Sequence, residues 1–314
     1  MARFVLTRLL SLVPVLAIVA LITFAILNFT PGDPAVAILG IDATPEQREA
    51  LREELGLNRP LIEQFLAWAG GLLTLDFGSS IYLDIPVSEA LLRHLEPTLL
   101  LATYSLAVAI LVGVPVGVLS GVRRGGTIDR LVMGATVLIN GIPNFFLGIL
   151  AIMLFAVTLG LLPSGGYVSP TEDFIGHAQC MMLPSLVLGI SLTSFARIIR
   201  SSVLDVMSSE FVETAYAKGL NRPQVVRRHV LRNAAIPSVT VIGIAFGNLL
   251  GGAVVTEYVF NLQGIGQLLV ESIARRDYPV IQAGVLLSAF LFVLVTLVVD
   301  IICAYLDPRV RYGR

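Results

Sequence analysis

Residues 210–237 read EFVETAYAKGLNRPQVVRRHVLRNAAIP, a polar, arginine-rich island between two long apolar segments. The pattern predicts helix from about Val203 to Lys218, with Gly219 as the left-handed residue that ends it. Asn221 then caps a second helix, with Pro223 in its first turn and Gln224 three residues on as a capping-box partner. Taken alone, two helices joined by a turn and carrying Arg222, Arg227, Arg228 and Arg232 also describe a DNA reader. The flanks decide against nucleic acid. Both ends of the island join membrane-type segments without a linker, so it works at a membrane surface and reaches no duplex groove.

Composition sets the class. Of 314 residues, 56% are hydrophobic and 14% charged, with a mean hydropathy of +0.86. Soluble domains carry about 25% charged residues, so this is an integral protein of the lipid bilayer. The net charge of -1 says little, because orientation follows the distribution of basic residues rather than their sum. Cys180 and Cys303 fall at opposite ends of the membrane in the topology below, so no disulfide is expected.

Working outward from the island gives an all-α protein of six spans with both termini cytoplasmic. Arg3 and Arg8 precede an apolar run from Leu9 to Phe29, longer than the roughly 7–15 residues of a signal-peptide core, so it reads as an uncleaved first span. The spans that follow are Thr98 to Val122, Leu131 to Leu162, Met181 to Ile199, Ser238 to Phe260 and Val280 to Leu306. This divides the chain into a tail and first span at 1–30, an extracytoplasmic helical insertion at 31–97, and a core at 98–314 that carries the cytoplasmic loop 201–237. In the insertion, Thr44, Pro45 and Gln47 predict a capped helix closed by Gly56, and Leu61, Phe65, Trp68 and Leu72 form one face of the next helix. That face is either a partner surface or packs on the membrane part.

The third span is too long for one straight crossing, since 32 residues at about 1.5 Å each overshoot a hydrocarbon core of about 30 Å. Asn140-Gly141-Ile142-Pro143-Asn144 is the expected break. Asn140 and Asn144 share a face if helix continues through it, which makes them pore-lining candidates; a structural proline kink is the competing account. Gly113, Gly117 and Gly121 in the second span, and Gly243, Gly247 and Gly251 in the fifth, repeat at the four-residue spacing that lets helix backbones approach closely. Only Arg48, Arg52, Arg59, Arg93, Arg275 and Arg276 fall on the external side, so 15 of the 21 basic residues lie inside, as the positive-inside rule requires.

No chemistry of its own is visible. There is no G-x-x-x-x-G-K-[ST], H-E-x-x-H or G-x-S-x-G, and His94, His177 and His229 are scattered. His177, Cys180, Met181 and Met182 are close enough in sequence to ligate a soft metal, with ordinary packing as the competing account and no metal expected. A carrier driven by an ion gradient would place ionisable groups at mid-membrane, whereas Glu257 and Asp300 lie toward span ends. A transporter that borrows an ATPase fits better, with the island as docking element.

Glu213-Thr214-Ala215, Gly219 and Ile236-Pro237 resemble the EAA loop of permease subunits of ATP-binding-cassette importers, with Thr214 in place of an alanine and a longer spacing to the proline. Ala215-Tyr216-Ala217-Lys218-Gly219-Leu220 and Arg228-His229-Val230-Leu231-Arg232-Asn233-Ala234-Ala235-Ile236-Pro237 resemble the form found in the dipeptide/oligopeptide/nickel branch. Pro31-Gly32-Asp33-Pro34, Leu249 to Ala253, Arg276 to Gln282 and Asp307 to Arg311 look like signatures of its B-type permease.

The resemblance implies a type I importer fold and a non-catalytic subunit of the bacterial inner membrane. Its partners would be a homologous second permease, two ATPase subunits and an extracytoplasmic solute-binding protein. ATP and Mg²⁺ would belong to the ATPases, with no cofactor in this chain. The helix around Glu210 to Leu220 would lie in a groove of one ATPase, with Glu213 and Lys218 supplying ion pairs, Ala215 and Ala217 permitting close approach, Gly219 making the turn and Pro237 closing the loop. The cargo would be a dipeptide or longer peptide, with glutathione or nickel as alternatives.

Overall fold

The computed structural model describes residues 2–29, 34–40, 43–54, 56, 58–191 and 195–306. Among these the chain is helical throughout, with one isolated bridge between Ser79 and Pro86 and no strand. Helix is what apolar segments of this length require, because lipid offers no partner for backbone N–H and C=O groups. The expected signatures at Pro31 to Asp33 and from Asp307 onward lie outside the described residues.

The first helix, α1 (Ala2–Phe29), lies against the last, α15 (Tyr278–Leu306). Between them come α2 (Pro34–Leu39), α3 (Pro45–Glu54) and α4 (Leu61–Leu73). The start of α3 carries the expected reciprocal cap, Gln47 N–H to Thr44 Oγ1 at 3.3 Å and Thr44 N–H to Gln47 Oε1 at 2.9 Å, and Gly56 has φ +67. On α4, Phe65 and Trp68 stack on Phe24 of α1, with ring centroids 5.3 and 5.8 Å away, so this part of the stripe packs on the membrane helix. Leu61 at the end of the same stripe stays exposed.

The core is a bundle of α5 (Val87–Val122), α8 (Phe174–Ser191), α9 (Phe195–Met207) and α12 (Leu231–Gly252). Here the glycine spacing of the second span has a direct cause. A Cβ on Gly113 would come within 2.8 Å of Phe195, on Gly117 within 2.7 Å of the Ala196 carbonyl, and on Gly121 within 2.8 Å of Val203, so α9 lies directly on the glycine face of α5. Gly243 and Gly247 play the same part between α12 and α15, facing Val299 and Phe292. The surroundings of Gly251 lie outside what is described.

Among the described residues, three helices are each long and apolar enough to cross a membrane: Val87–Val122, Phe174–Ser191 and Tyr278–Tyr305. Two bent pairs bring the number to five if each is one crossing. One pair is α6 (Thr127–Asn140) with α7 (Asn144–Ala151) and the π-helical turn Ile152–Thr158, bent by 97°. The other bends by 48° at Pro237, between Arg222–Ala235 and Pro237–Gly247.

Several boundaries differ from those expected. The second membrane helix begins at Val87, not Thr98, because Pro97 sits inside α5 without ending it. The fourth begins at Phe174, so His177 and Cys180 are helical rather than in a loop; residues 192–194, inside the expected span, lie outside the described residues. Residues 261–279, read as external loop, contain an amphipathic helix, α14 (Ile265–Arg275), preceded by α13 (Val254–Phe260).

Candidate functional site

The island folds as two short helices against the bundle. The helix expected from Val203 to Lys218 is broken at Ser208-Ser209, where Ser209 is extended (φ -83, ψ 146), giving α9 and then α10 (Glu210–Ala217). Ser208 and Ser209 turn their hydroxyls onto the carbonyls of Asp205 and Val206, the local competition with helix that serine offers. Gly219, at φ +83, makes the expected left-handed turn, donating its N–H to the Tyr216 carbonyl at 2.9 Å. Asn221 and Gln224 close the capping box at 3.1 Å in both directions, starting α11 (Arg222–Val225). A π turn over Val226–Val230 leads into α12.

Two faces result. Val212 and Ala215 are buried with Phe195, Ile199, Val203, Val225 and Val230, so one side of α10 is packed into the protein. Glu210, Phe211, Glu213, Thr214, Tyr216, Ala217 and Lys218 are exposed. The two alanines therefore differ in role: Ala215 lets α10 approach its own bundle, and Ala217 lies on the outer side. Leu220 packs at the edge of the buried cluster.

The island is tied to the turn after α5. The Arg222 guanidinium donates to the Val122 carbonyl. Beside it, Arg200 of α9 grips Asp129 of α6 in a two-point ion pair, Nε to Oδ1 at 2.6 Å and Nη2 to Oδ2 at 2.8 Å. The same carboxylate accepts the Ser120 hydroxyl and, at 2.9 Å, the Gly125 N–H. A buried carboxylate with four donors is one whose desolvation is met by hydrogen bonds, and this one fixes α5, α6 and α9 to one another. Asp129 and Arg200 are 71 residues apart, and nothing in the sequence pairs them.

At the opposite end of the bundle, α14 is strapped at both of its ends. Its first N–H groups have no partner within the helix. Ile265 N–H finds Thr98 Oγ1 at 2.9 Å, and Gln267 N–H finds Glu257 Oε2 at 3.1 Å, while Thr98 donates to Glu257 Oε1 at 2.7 Å. Gly264 and Gly266 permit this approach, since a Cβ on either would meet the Glu257 carboxyl at 2.4 to 2.8 Å. Past the other end of α14, buried Asp277 accepts the N–H groups of Ile81 and Tyr82 at 3.2 Å and the Ser80 hydroxyl, and Arg275 lies 3.5 Å over the Tyr82 ring. Apolar Ile265, Leu268 and Leu269 at helical spacing after Gly264 were the available signal for this helix.

Asn140 and Asn144 do not share one helical face, because the helix does not continue between them. Both are exposed at the 97° bend, and Asn140 donates Nδ2 to its own Thr136 carbonyl at 2.6 Å. His177 is buried with both ring nitrogens engaged, Nδ1 at 2.7 Å from the Val168 carbonyl and Nε2 at 3.1 Å from Tyr104 Oη, while the rings of Tyr104 and Tyr167 pack edge-on against it. That is packing chemistry, and no group of three metal-ligating His, Cys, Asp or Glu occurs among the described residues.

Known proteins share this arrangement. Residues 113–312 match the family described as binding-protein-dependent transport system inner membrane component, and residues 1–88 match its N-terminal counterpart. A probable peptide ABC transporter permease of Sinorhizobium fredii is 40% identical over 313 residues, covering 99% of this chain and 100% of its own length. A glutathione transport system permease of Salmonella paratyphi A is 44% identical over 315 residues, with the same coverage. In fold, the chain is similar to the inward-facing MetNI methionine ABC transporter, with a TM-score of 0.59 and 22% identity over 69% of this chain and 96% of that one. This chain belongs to the family of binding-protein-dependent inner-membrane permeases, in its branch of peptide and glutathione ABC importers.

Proposed function

We propose that this chain forms half of the translocation pore of an importer of di- and oligopeptides, and that Glu210 to Leu220 is where it meets an ATPase subunit. The observation that carries the reading is the two-sidedness of α10: Val212 and Ala215 hold it to the bundle while Glu210, Phe211, Glu213, Tyr216, Ala217 and Lys218 are left outward. A short helix held on one side and open on the other is suited to pass on a push. Family membership supports a second permease, ATPases that hold ATP and Mg²⁺, and an extracytoplasmic binding protein. On this reading the chain makes six crossings with both termini and the loop in the cytoplasm, and α14 lies outside.

ATP-driven closure of the ATPases would move α10, and the movement would reach the bundle through α9 and through the Asp129–Arg200 and Arg222–Val122 contacts. Asn140 and Asn144, exposed at the bend, are the candidates for the pore wall; cysteines placed there should react with thiol reagents in a way that changes with turnover. The test of the docking role is Glu213→Lys and Gly219→Pro in the assembled transporter. Both should insert and assemble yet lose uptake, and wild-type uptake by both would refute it.

A second cargo, glutathione, is favoured by the 44% identity to a glutathione permease. Thermal stabilisation of the partner binding protein by dipeptides, longer peptides, glutathione or Ni²⁺ separates these, since a ligand of the folded state raises its stability by mass action.

A further inference from the structure

Between α9 and α12 lies a cavity of about 830 Å³. Its α9 wall carries Arg197, Ser201 and Asp205, four residues apart and therefore in a row on one helix face. The opposite wall is Pro237, Val241 and Ile244 of α12. Neither the Arg197 guanidinium nor the Asp205 carboxylate pairs with any described residue. Eight residues of helix set the Cα atoms of Arg197 and Asp205 about 12 Å apart along the axis.

A cavity with an open cation at one end, an open anion at the other and an apolar wall facing them has a complement of definite chemistry. We propose that it binds a short zwitterionic peptide, its carboxylate on Arg197, its ammonium on Asp205 and its side chains against Pro237, Val241 and Ile244; the proposal rests on the peptide reading above. The lengths agree. An extended dipeptide spans about 7 Å at about 3.5 Å per residue, which two side chains rooted about 12 Å apart on one helix face can reach at both ends, and rotation of the long arginine side chain admits one or two residues more.

Other occupants fit less well. An anionic lipid headgroup would use Arg197 but meet repulsion from Asp205. An apolar helix of a second permease would bury both charges without partners, which is costly. The cavity also adjoins Pro237, where the chain bends by 48° within α12, so movement of α10 would alter its width. A site on a transport path must be weak enough to release its cargo, and two charge-assisted contacts in an open cavity meet that need.

The test uses the complete transporter in proteoliposomes, with labelled peptide and loaded binding protein outside and unlabelled peptide preloaded at millimolar concentration inside. Each variant is normalised to its own import into empty vesicles. Free dipeptide or tripeptide inside should slow import by occupying the cavity, and the same peptide N-acetylated and C-amidated should not. Arg197→Gln and Asp205→Asn should each weaken the inhibition about tenfold, as the loss of one charge-assisted hydrogen bond implies, with Arg197→Lys retaining part of it. The proposal is overturned if the wild type is not inhibited, if free and blocked peptides inhibit equally, or if the two variants behave as wild type. Failure of wild-type empty vesicles to import any peptide would overturn the peptide reading itself, and this site with it.

Discussion

The two short helices at the ends of the bundle, α10 and α14, are held by opposite means. At the basic end, α10 is fixed by apolar contacts through Val212 and Ala215 and leaves its polar face unpartnered. At the other end, α14 is fixed by two buried carboxylates, Glu257 and Asp277, whose acceptor oxygens are taken up by donors from distant segments. Apolar contacts are non-directional and tolerate small displacements, whereas a carboxylate gripping backbone N–H groups fixes register. The contrast suits a molecule that receives a push at one end and keeps its shape at the other.

Substitutions in α10 should act on transport, and substitutions around α14 on stability. Glu213→Lys and Gly219→Pro should abolish uptake, and Glu213→Lys should leave the melting transition of the purified protein where it is, because the exposed Glu213 contacts nothing that holds the bundle. Gly219→Pro acts through φ, which is +83 here and near -65 in proline, and through loss of the N–H bonded to Tyr216. At the opposite end the effect should fall on stability first. Asp277→Ala leaves three donors without their acceptor and should cost about 1–3 kcal/mol for each that stays buried and unpaired, read as a lowered thermal midpoint. Glu257→Ala should behave alike. Unchanged midpoints for both would remove the basis of the contrast.

Smaller effects sharpen it within the bundle. Gly117→Ala places a Cβ 2.7 Å from the Ala196 carbonyl and should destabilise by about 1–3 kcal/mol. Gly134 of α6 has nothing within 4 Å of its would-be Cβ, so Gly134→Ala should stabilise by about 0.4–1 kcal/mol. Thermal unfolding in the same detergent gives both signs.

What the sequence made legible was what is local. The turn at Gly219, the Asn221–Gln224 and Thr44–Gln47 caps, the break at Asn140 to Asn144 and the close approach at Gly113, Gly117, Gly121, Gly243 and Gly247 all depend on residues a few positions apart, and each stands where its spacing placed it. The break at Ser208-Ser209 was missed because serine hydroxyls bonding to the preceding turn leave no periodic mark. Ala215 and Ala217 looked equivalent until packing turned one inward. Asp129 with Arg200, Asp277 with Ser80, and Thr98 with Glu257 are joined across 71, 197 and 159 residues, and a single sequence carries no sign of such pairs.

The central claim, that the outward side of α10 is an ATPase contact and the inward side is not, is tested most directly by cross-linking. With Cys180 and Cys303 replaced by serine, a single cysteine at Ala217 or at Ala215 is paired with single cysteines in the ATPase subunit and oxidised in the assembled transporter. Ala217→Cys should cross-link, to a degree that changes with ATP, and Ala215→Cys should not. Cross-linking through position 215 with none through position 217 would contradict the account.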